Sequence, residues 1–251
     1  MSSLQAHILP VPEWLCGWLL SAKLRSFYHT DTMINIPLKI PDKVNEVKAA
    51  LGILPCVLCK DEVVTYVACP LTSGLEFYKK VGFLPKKFGS DKMLTERKKI
   101  FANNRDKANN YIRWLSEQSR GDIIAPSAMD YIKGWKEEEY YYFGIEAIRL
   151  HVDRIIFLPN WQYSRGCILE FLASICYNVD RCGPDLTPIE AEIGATMITE
   201  ASTYIKDNGN DNSFHERIID DIEELEGTNE YNMVQAPTEK QDADSERTEI
   251  K

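Results

Sequence analysis

Glu170 is the side chain whose setting in the sequence best suits it to chemistry. It ends the segment Ser164-Arg165-Gly166-Cys167-Ile168-Leu169-Glu170, which follows a buried β-branched run and a loop. Gly166 stands where the loop opens a helix, and backbone N–H groups at a helix start can face an anionic ligand. Ser164 adds a hydroxyl and Arg165 a planar cation, both suited to phosphate. Glu170 falls about one turn into that helix, where side chains lean back toward the N-terminus. The carboxylate is thereby aimed at whatever the loop holds. A carboxylate beside a sugar C1 can attack it or stabilise an oxocarbenium-like state. Asp153, just ahead of the preceding strand, is the candidate second group, to position or protonate. Each residue has a plainer reading. A Glu in the first helical turns often serves the helix dipole, and an Asp before a strand is often a surface residue.

The elements that must position these residues alternate along the chain. Val63–Ala68, Ile123–Ala125 and Arg154–Leu158 are short β-branched or apolar runs ending in loops, and read as buried strands. Helical periodicity marks 94–118 (Phe101, Ala108, Tyr111, Ile112, Leu115), 136–151 (Tyr142, Ile145, Ile148, Leu150), 167–178 and 188–206. Strand alternating with helix predicts an α/β fold: a doubly wound, mostly parallel sheet with helices on both faces. Ligands bind such sheets beyond the carboxyl ends of the strands. The loops beginning near Cys69, Pro126 and Pro159 should therefore converge on one crevice.

Residues 1–60 read as a partly helical N-terminal extension. It carries an apolar Trp14–Leu20 stripe and a short helix from Val44 to Leu51 capped by Asp42. Residues 61–206 read as the α/β domain. Residues 207–251 read as an acidic, largely disordered tail with one short amphipathic helix at 214–226. Residues 205–251 hold 14 Asp/Glu against 5 Lys/Arg, which accounts for the whole net charge of −9. The acidity belongs to the tail, and no excess of Lys/Arg marks a nucleic-acid surface. The longest apolar stretch is too short to span a bilayer, so no membrane partner and a cytoplasmic location are expected. Seven cysteines, an odd number, read as reduced thiols. Cys56-x-x-Cys59 has no second ligand pair at a zinc-site spacing, so neither metal nor cofactor is expected.

The stretch Val152-Asp153-Arg154-Ile155-Ile156-Phe157-Leu158-Pro159-Asn160-Trp161-Gln162-Tyr163-Ser164-Arg165-Gly166-Cys167-Ile168-Leu169-Glu170 resembles the nucleoside 2-deoxyribosyltransferase-like superfamily. It is most similar to a branch with an Asp-x-x-x-x-Leu-Pro-Gly-Trp-x-x-Ser-x-Gly-Ala-x-x-Glu pattern. Tyr66-Val67-Ala68-Cys69-Pro70-Leu71-Thr72 resembles the branch's first strand and Gly-Pro loop. Phe101 with Ala108 resembles its first helix, Ala125-Pro126 its Asn-Pro element, and Trp135 a tryptophan before its third strand. The resemblance covers roughly residues 63–178. It implies a doubly wound α/β domain in which Glu170 is nucleophile or stabiliser at the anomeric carbon. It also implies that Ser164, six residues earlier, contacts a 5′-phosphate, and that Pro70, Thr72, Ser73 and Gly74 of the first loop add sugar and phosphate contacts. Cys69, Ala125, Asn160 and Cys167 depart from the pattern, where the branch has Gly, Asn, Gly and Ala.

The expectation is an N-glycosidic bond hydrolase or deoxyribosyltransferase acting on a (deoxy)nucleoside 5′-monophosphate. A nucleotide-binding or sensing module that lost catalysis, and an NAD-type dinucleotide glycohydrolase, are the alternatives. The partner is a small nucleotide or nucleoside. Superfamily members commonly build their sites at subunit contacts, so a homo-oligomer is also anticipated.

Overall fold

The computed structural model describes residue 36 and residues 39–59, 62–82, 90–118, 121–129 and 131–235. The Trp14–Leu20 stripe and residues 236–251 lie outside them. Four parallel strands form one sheet in the order β2-β1-β3-β4: β1 is Val64–Ala68, β2 Asp122–Ile124, β3 Arg154–Phe157 and β4 Asp180–Cys182. The helices are α1 (Val44–Val57), α2 (Ser90–Gln118), α3 (Glu137–His151), α4 (Arg165–Cys176), α5 (Ala191–Asp207) and α6 (Ser213–Gln235). A parallel sheet needs cover on both faces. Alternation along the strands supplies it here. Val67, Cys69, Ile156 and Leu158 pack with Ala108 and Leu115 of α2 on one face. Tyr66, Ala68, Ile155 and Phe157 pack with α3, α4, α5 and α6 on the other. This is the doubly wound α/β architecture that the alternating pattern predicts.

The chain steps from β1 outward to β2, then returns past β1 to β3. The direction of winding reverses between β1 and β3, the place where ligands bind in sheets of this kind. Gly121 lets β2 enter beside β1: its φ is +136°, and a Cβ would lie 2.4 Å from the Val63 carbonyl oxygen.

The helices depart from the sequence reading in three ways. First, α1 runs to Val57, and its Val47 and Leu51 are buried against Trp135, Phe143 and Ala147. Asp42 does not cap it; its carboxylate pairs with Lys136 Nζ at 2.9 Å. The buried Glu139 ties the starts of α1 and α3 together, accepting the N–H of Lys136 at 2.7 Å and of Lys43 at 3.3 Å. Second, Phe101 of α2 is exposed, and Ile100, Ala108 and Leu115 carry the buried stripe. Third, α6 is part of the fold and reaches well beyond 226. Ile218 and Ile222 are fully buried and Leu225 nearly so, in the same cluster as Ile155 and Phe157.

Candidate functional site

Glu170 projects from the second turn of α4 toward β1. Its Oε1 accepts the Tyr66 hydroxyl hydrogen at 2.6 Å. Its Oε2 is sealed from solvent and has no hydrogen-bond partner among the described residues. The residue as a whole keeps some exposure, but the carboxylate end lies in the protein. Burial raises its pKa to about 8, and the hydrogen bonds from Tyr66 and Cys167 partly offset that rise. Gly144 of α3 makes the room: a Cβ there would lie 2.7 Å from the Tyr66 hydroxyl and 3.4 Å from Glu170 Oε1. A lone, desolvated carboxylate oxygen held on one side by a phenol is primed to take a proton, a cation or an electrophilic carbon.

Two thiols flank this carboxylate. Cys69, at the end of β1, has its pKa pushed up to about 12 by burial and then by the Glu170 charge. Cys167, one turn before Glu170, is pushed well up by the same two causes in the same order. Both therefore stay as neutral thiols, which gives the carboxylate an apolar setting with two weak donors.

The loop after β1 meets the loop after β3 through hydroxyls. Ser73 Oγ donates to Ser164 Oγ at 3.1 Å. Ser164 is the residue preceding α4, in extended conformation, and its side chain makes no cap hydrogen bond to the helix. Its hydroxyl is committed across the crevice instead. Gly74 turns the first loop at φ +102°, and Asn104 of α2 holds that loop by donating to the Leu71 and Ser73 carbonyls at 3.3 Å each. Arg105, next on α2, donates to the Ser127 carbonyl after β2 at 3.1 Å.

The expected site residues thus divide. Ser164, Ser73 and Gly74 come together just past the carboxyl ends of β1 and β3, and Glu170 lies against Tyr66 in the middle of β1. Pro70 is half-buried beneath Gly74, whose Cβ would meet the proline ring at 3.0 Å. Gly166 lies in the first turn of α4, against the Tyr141 ring. Thr72 and Arg165 are exposed, and the Arg165 guanidinium sits 4.8 Å from the Phe214 ring centroid. Asp153 does not belong to the site. Its Oδ2 accepts the Val64 N–H at 3.0 Å and its own N–H donates to the Val64 carbonyl at 2.9 Å. This clamp is at the amino ends of β1 and β3. The four residues of β3, roughly 13 Å at about 3.3 Å per residue, separate Asp153 from the loop that carries Ser164. Asp153 is thus placed to start the sheet, away from that loop.

Tyr66, Asn104, Arg105 and Gly144 do not stand out in the sequence. Tyr66 reads as a strand aromatic, and only its parity shared with Ala68 hints that it faces α4. Trp161 stacks on Phe171 with ring centroids 4.7 Å apart and is a packing residue, as is Trp135 against Tyr140 at 5.2 Å. Cys56 and Cys59 are exposed, and no group of three or more His, Cys, Asp and Glu among the described residues is arranged to hold a metal. A cavity of about 430 Å³ lies away from Glu170 along β4, lined by Arg154, Asp180, Cys182 and Glu190 among others. No described helix is long and apolar enough to cross a membrane. Against protein-family models, curated proteins and solved structures, the chain finds no match.

Proposed function

We propose that the chain cleaves or transfers an N-glycosidic bond of a (deoxy)nucleoside 5′-monophosphate, with Glu170 acting at C1′. The observations that support it most are the unpartnered Oε2 of Glu170, whose carboxyl is held against β1, and the joined hydroxyls of Ser73 and Ser164 in the loops after β1 and β3. In the reaction, the ionised carboxylate attacks C1′ or stabilises the cation forming there, and the C1′–N bond breaks toward the base. Water then releases the sugar, or a second base accepts it. Tyr66 fixes Oε1, which leaves Oε2 to face the sugar. Ser73, Ser164 and the N–H groups opening α4 hold the 5′-phosphate, where a helix start favours an anion.

The test is a chromatographic screen of nucleoside and deoxynucleoside 5′-monophosphates, nucleosides and NAD, scoring free base. Base released from monophosphates by the wild-type chain, and lost in Glu170→Ala with the fold intact, is the expected result. Undiminished turnover by Glu170→Ala removes Glu170 from the chemistry.

One observation favours a second reading, a nucleotide-binding module without turnover. Burial raises the Glu170 pKa to about 8 and so favours the protonated acid, and a protonated acid is no nucleophile. Ligand-induced thermal stabilisation with no base released from any substrate is the outcome that selects this reading.

A further inference from the structure

α6 buries His215, Ile218, Ile222 and Leu225, which recur at the spacing of one helix face. His215 holds the first position of that stripe and is 3% exposed. An aliphatic side chain would suit the position. The imidazole instead brings two ring nitrogens, and neither completes a hydrogen bond among the described residues. The ring lies within reach of the Gln162 backbone, in the short turn Trp161–Tyr163 that follows β3. Two more buried polar atoms of that turn, Trp161 Nε1 and Gln162 Oε1, are also unpartnered among the described residues. Ser164 follows the turn directly, and its N–H donates to the Trp161 carbonyl at 2.8 Å. The residues before the helix are tied more firmly. Asn212 accepts the His215 N–H at its carbonyl at 2.9 Å, and its side chain donates to Ser202 Oγ of α5 and to Glu216, each at 2.9 Å.

A neutral imidazole can remain in such a seat, but a charged one loses its water there without compensation. The cations around it would oppose its charge: Arg165 of α4 and Arg217 of α6 lie over the neighbouring Phe214 ring, and Lys206 of α5 reaches Glu216. Tyr163 of the turn and Tyr204 of α5 are uncharged phenols in ring contact with each other. The carboxylates are engaged or outside: Glu216 by Lys206 and Asn212, Asp211 by the Ser213 N–H, and Glu200 of α5 exposed. Burial thus decides the state of the ring. It holds the His215 pKa below the usual 6.5, and the Gln162 backbone offsets it only in part. A freed ring takes its proton near pH 6.5, a seated ring only at lower pH. The seat therefore stabilises the fold fully above that value and progressively less as the pH falls through it.

We propose that His215 is a proton-operated latch: neutral, it seats the start of α6 on the turn before Ser164; protonated, it leaves that seat and frees the turn. The latch stands independently of the glycosidic reading. The test is amide hydrogen exchange of the full chain, wild type and His215→Leu, at about pH 7.5 and about pH 5.5. Exchange is read as protection factors, which remove its intrinsic pH dependence. Between the two conditions the wild-type amides at the start of α6 lose up to about tenfold in protection, the most that one group with a free value near 6.5 can supply over that interval. His215→Leu, which cannot take the proton, loses clearly less. His151 and the carboxyls titrate in both chains, so the difference between the chains reports His215. An equal loss in both, or none in the wild type, overturns the latch. An NMR titration of the wild-type imidazoles and α6 amides decides the matter if the variant does not fold. A His215 ring that titrates below 6.5 together with the α6 amides upholds the proposal. A ring that titrates at or above that value, or without any change in those amides, overturns it.

Discussion

At the scale of single residues, the Glu170 carboxyl makes two predictions with opposite pH senses. The first concerns rate. Burial raises its pKa to about 8, and the Tyr66 hydroxyl works against that rise. If the ionised form acts, base release climbs with pH through about 8. Tyr66→Phe removes a donor that favours the charged form and moves the climb to higher pH, while the rate at its alkaline plateau falls less than in Glu170→Ala. A pH–rate profile of both chains reads this directly, and an unmoved midpoint in Tyr66→Phe separates the tyrosine from the carboxyl. The second concerns stability. An unfolded Glu ionises near its ordinary value of 4.5, well below the folded value. Below pH 4.5 both states hold the proton and no difference arises. Between 4.5 and about 8 the unfolded state gives up its proton first, so stability drains away as pH rises. Glu170→Gln, which cannot ionise, should therefore raise the melting temperature most at pH 8 and above and little at pH 5. Equal gains at both pH values in thermal melts would show that the substitution acts by packing alone. A residue that costs stability where it is charged is what a functional carboxylate leads one to expect.

At the scale of elements, the local pattern carries most of the architecture but little of its long-range pairing. β1 and β3 are legible because Val64, Val67, Ile155 and Ile156 are β-branched and buried on both faces. β4 is not, because Asp180-Arg181-Cys182 has no such run; it is a strand only because it pairs with Arg154–Ile156. Asp153 misleads for a related reason. Its neighbours in sequence are those of a site motif, but its partner is Val64, 89 residues away, and nothing local announces that bond. The Glu170–Tyr66 pair spans 104 residues and is equally hidden. Gly194 is a third instance. It reads as an ordinary helix glycine in α5, yet a Cβ there would stand 1.9 Å from Phe171 Cζ. The Phe171 ring is fully buried and stacked on Trp161, so it has no free direction in which to yield. Gly194→Ala should destabilise the chain by about 3 kcal/mol, at the upper end of ordinary overpacking. The added Phe171→Leu should return part of that, because it withdraws the atoms that clash. Urea unfolding of the single and double variants checks both, and a Gly194→Ala chain as stable as the wild type would mean that α4 and α5 are not packed this closely.

At the scale of the whole molecule, the boundary of the domain is the point at issue. Composition places the end of the α/β domain near residue 206, because residues 207–251 are rich in Asp and Glu. Charge density is a poor guide here, since α6 is acidic on one side and apolar on the other. Ile218 and Ile222 are fully buried and Leu225 is 7% exposed, all within the cluster that backs β3 and α4. Burying each such side chain contributes about 1.5–3 kcal/mol, so the three together approach the whole stability of an ordinary domain, about 5–15 kcal/mol. α6 also carries Phe214 to the Arg165 guanidinium at the start of α4. A chain ending at Asn212 should therefore lose its cooperative urea transition or shift its midpoint sharply. The milder Ile218→Ala and Ile222→Ala, each costing about 2–5 kcal/mol, should keep a cooperative but earlier transition. Both effects should be absent if α6 is only an acidic appendage: the shortened chain would then unfold at the wild-type urea concentration, and the domain would end where its composition changes.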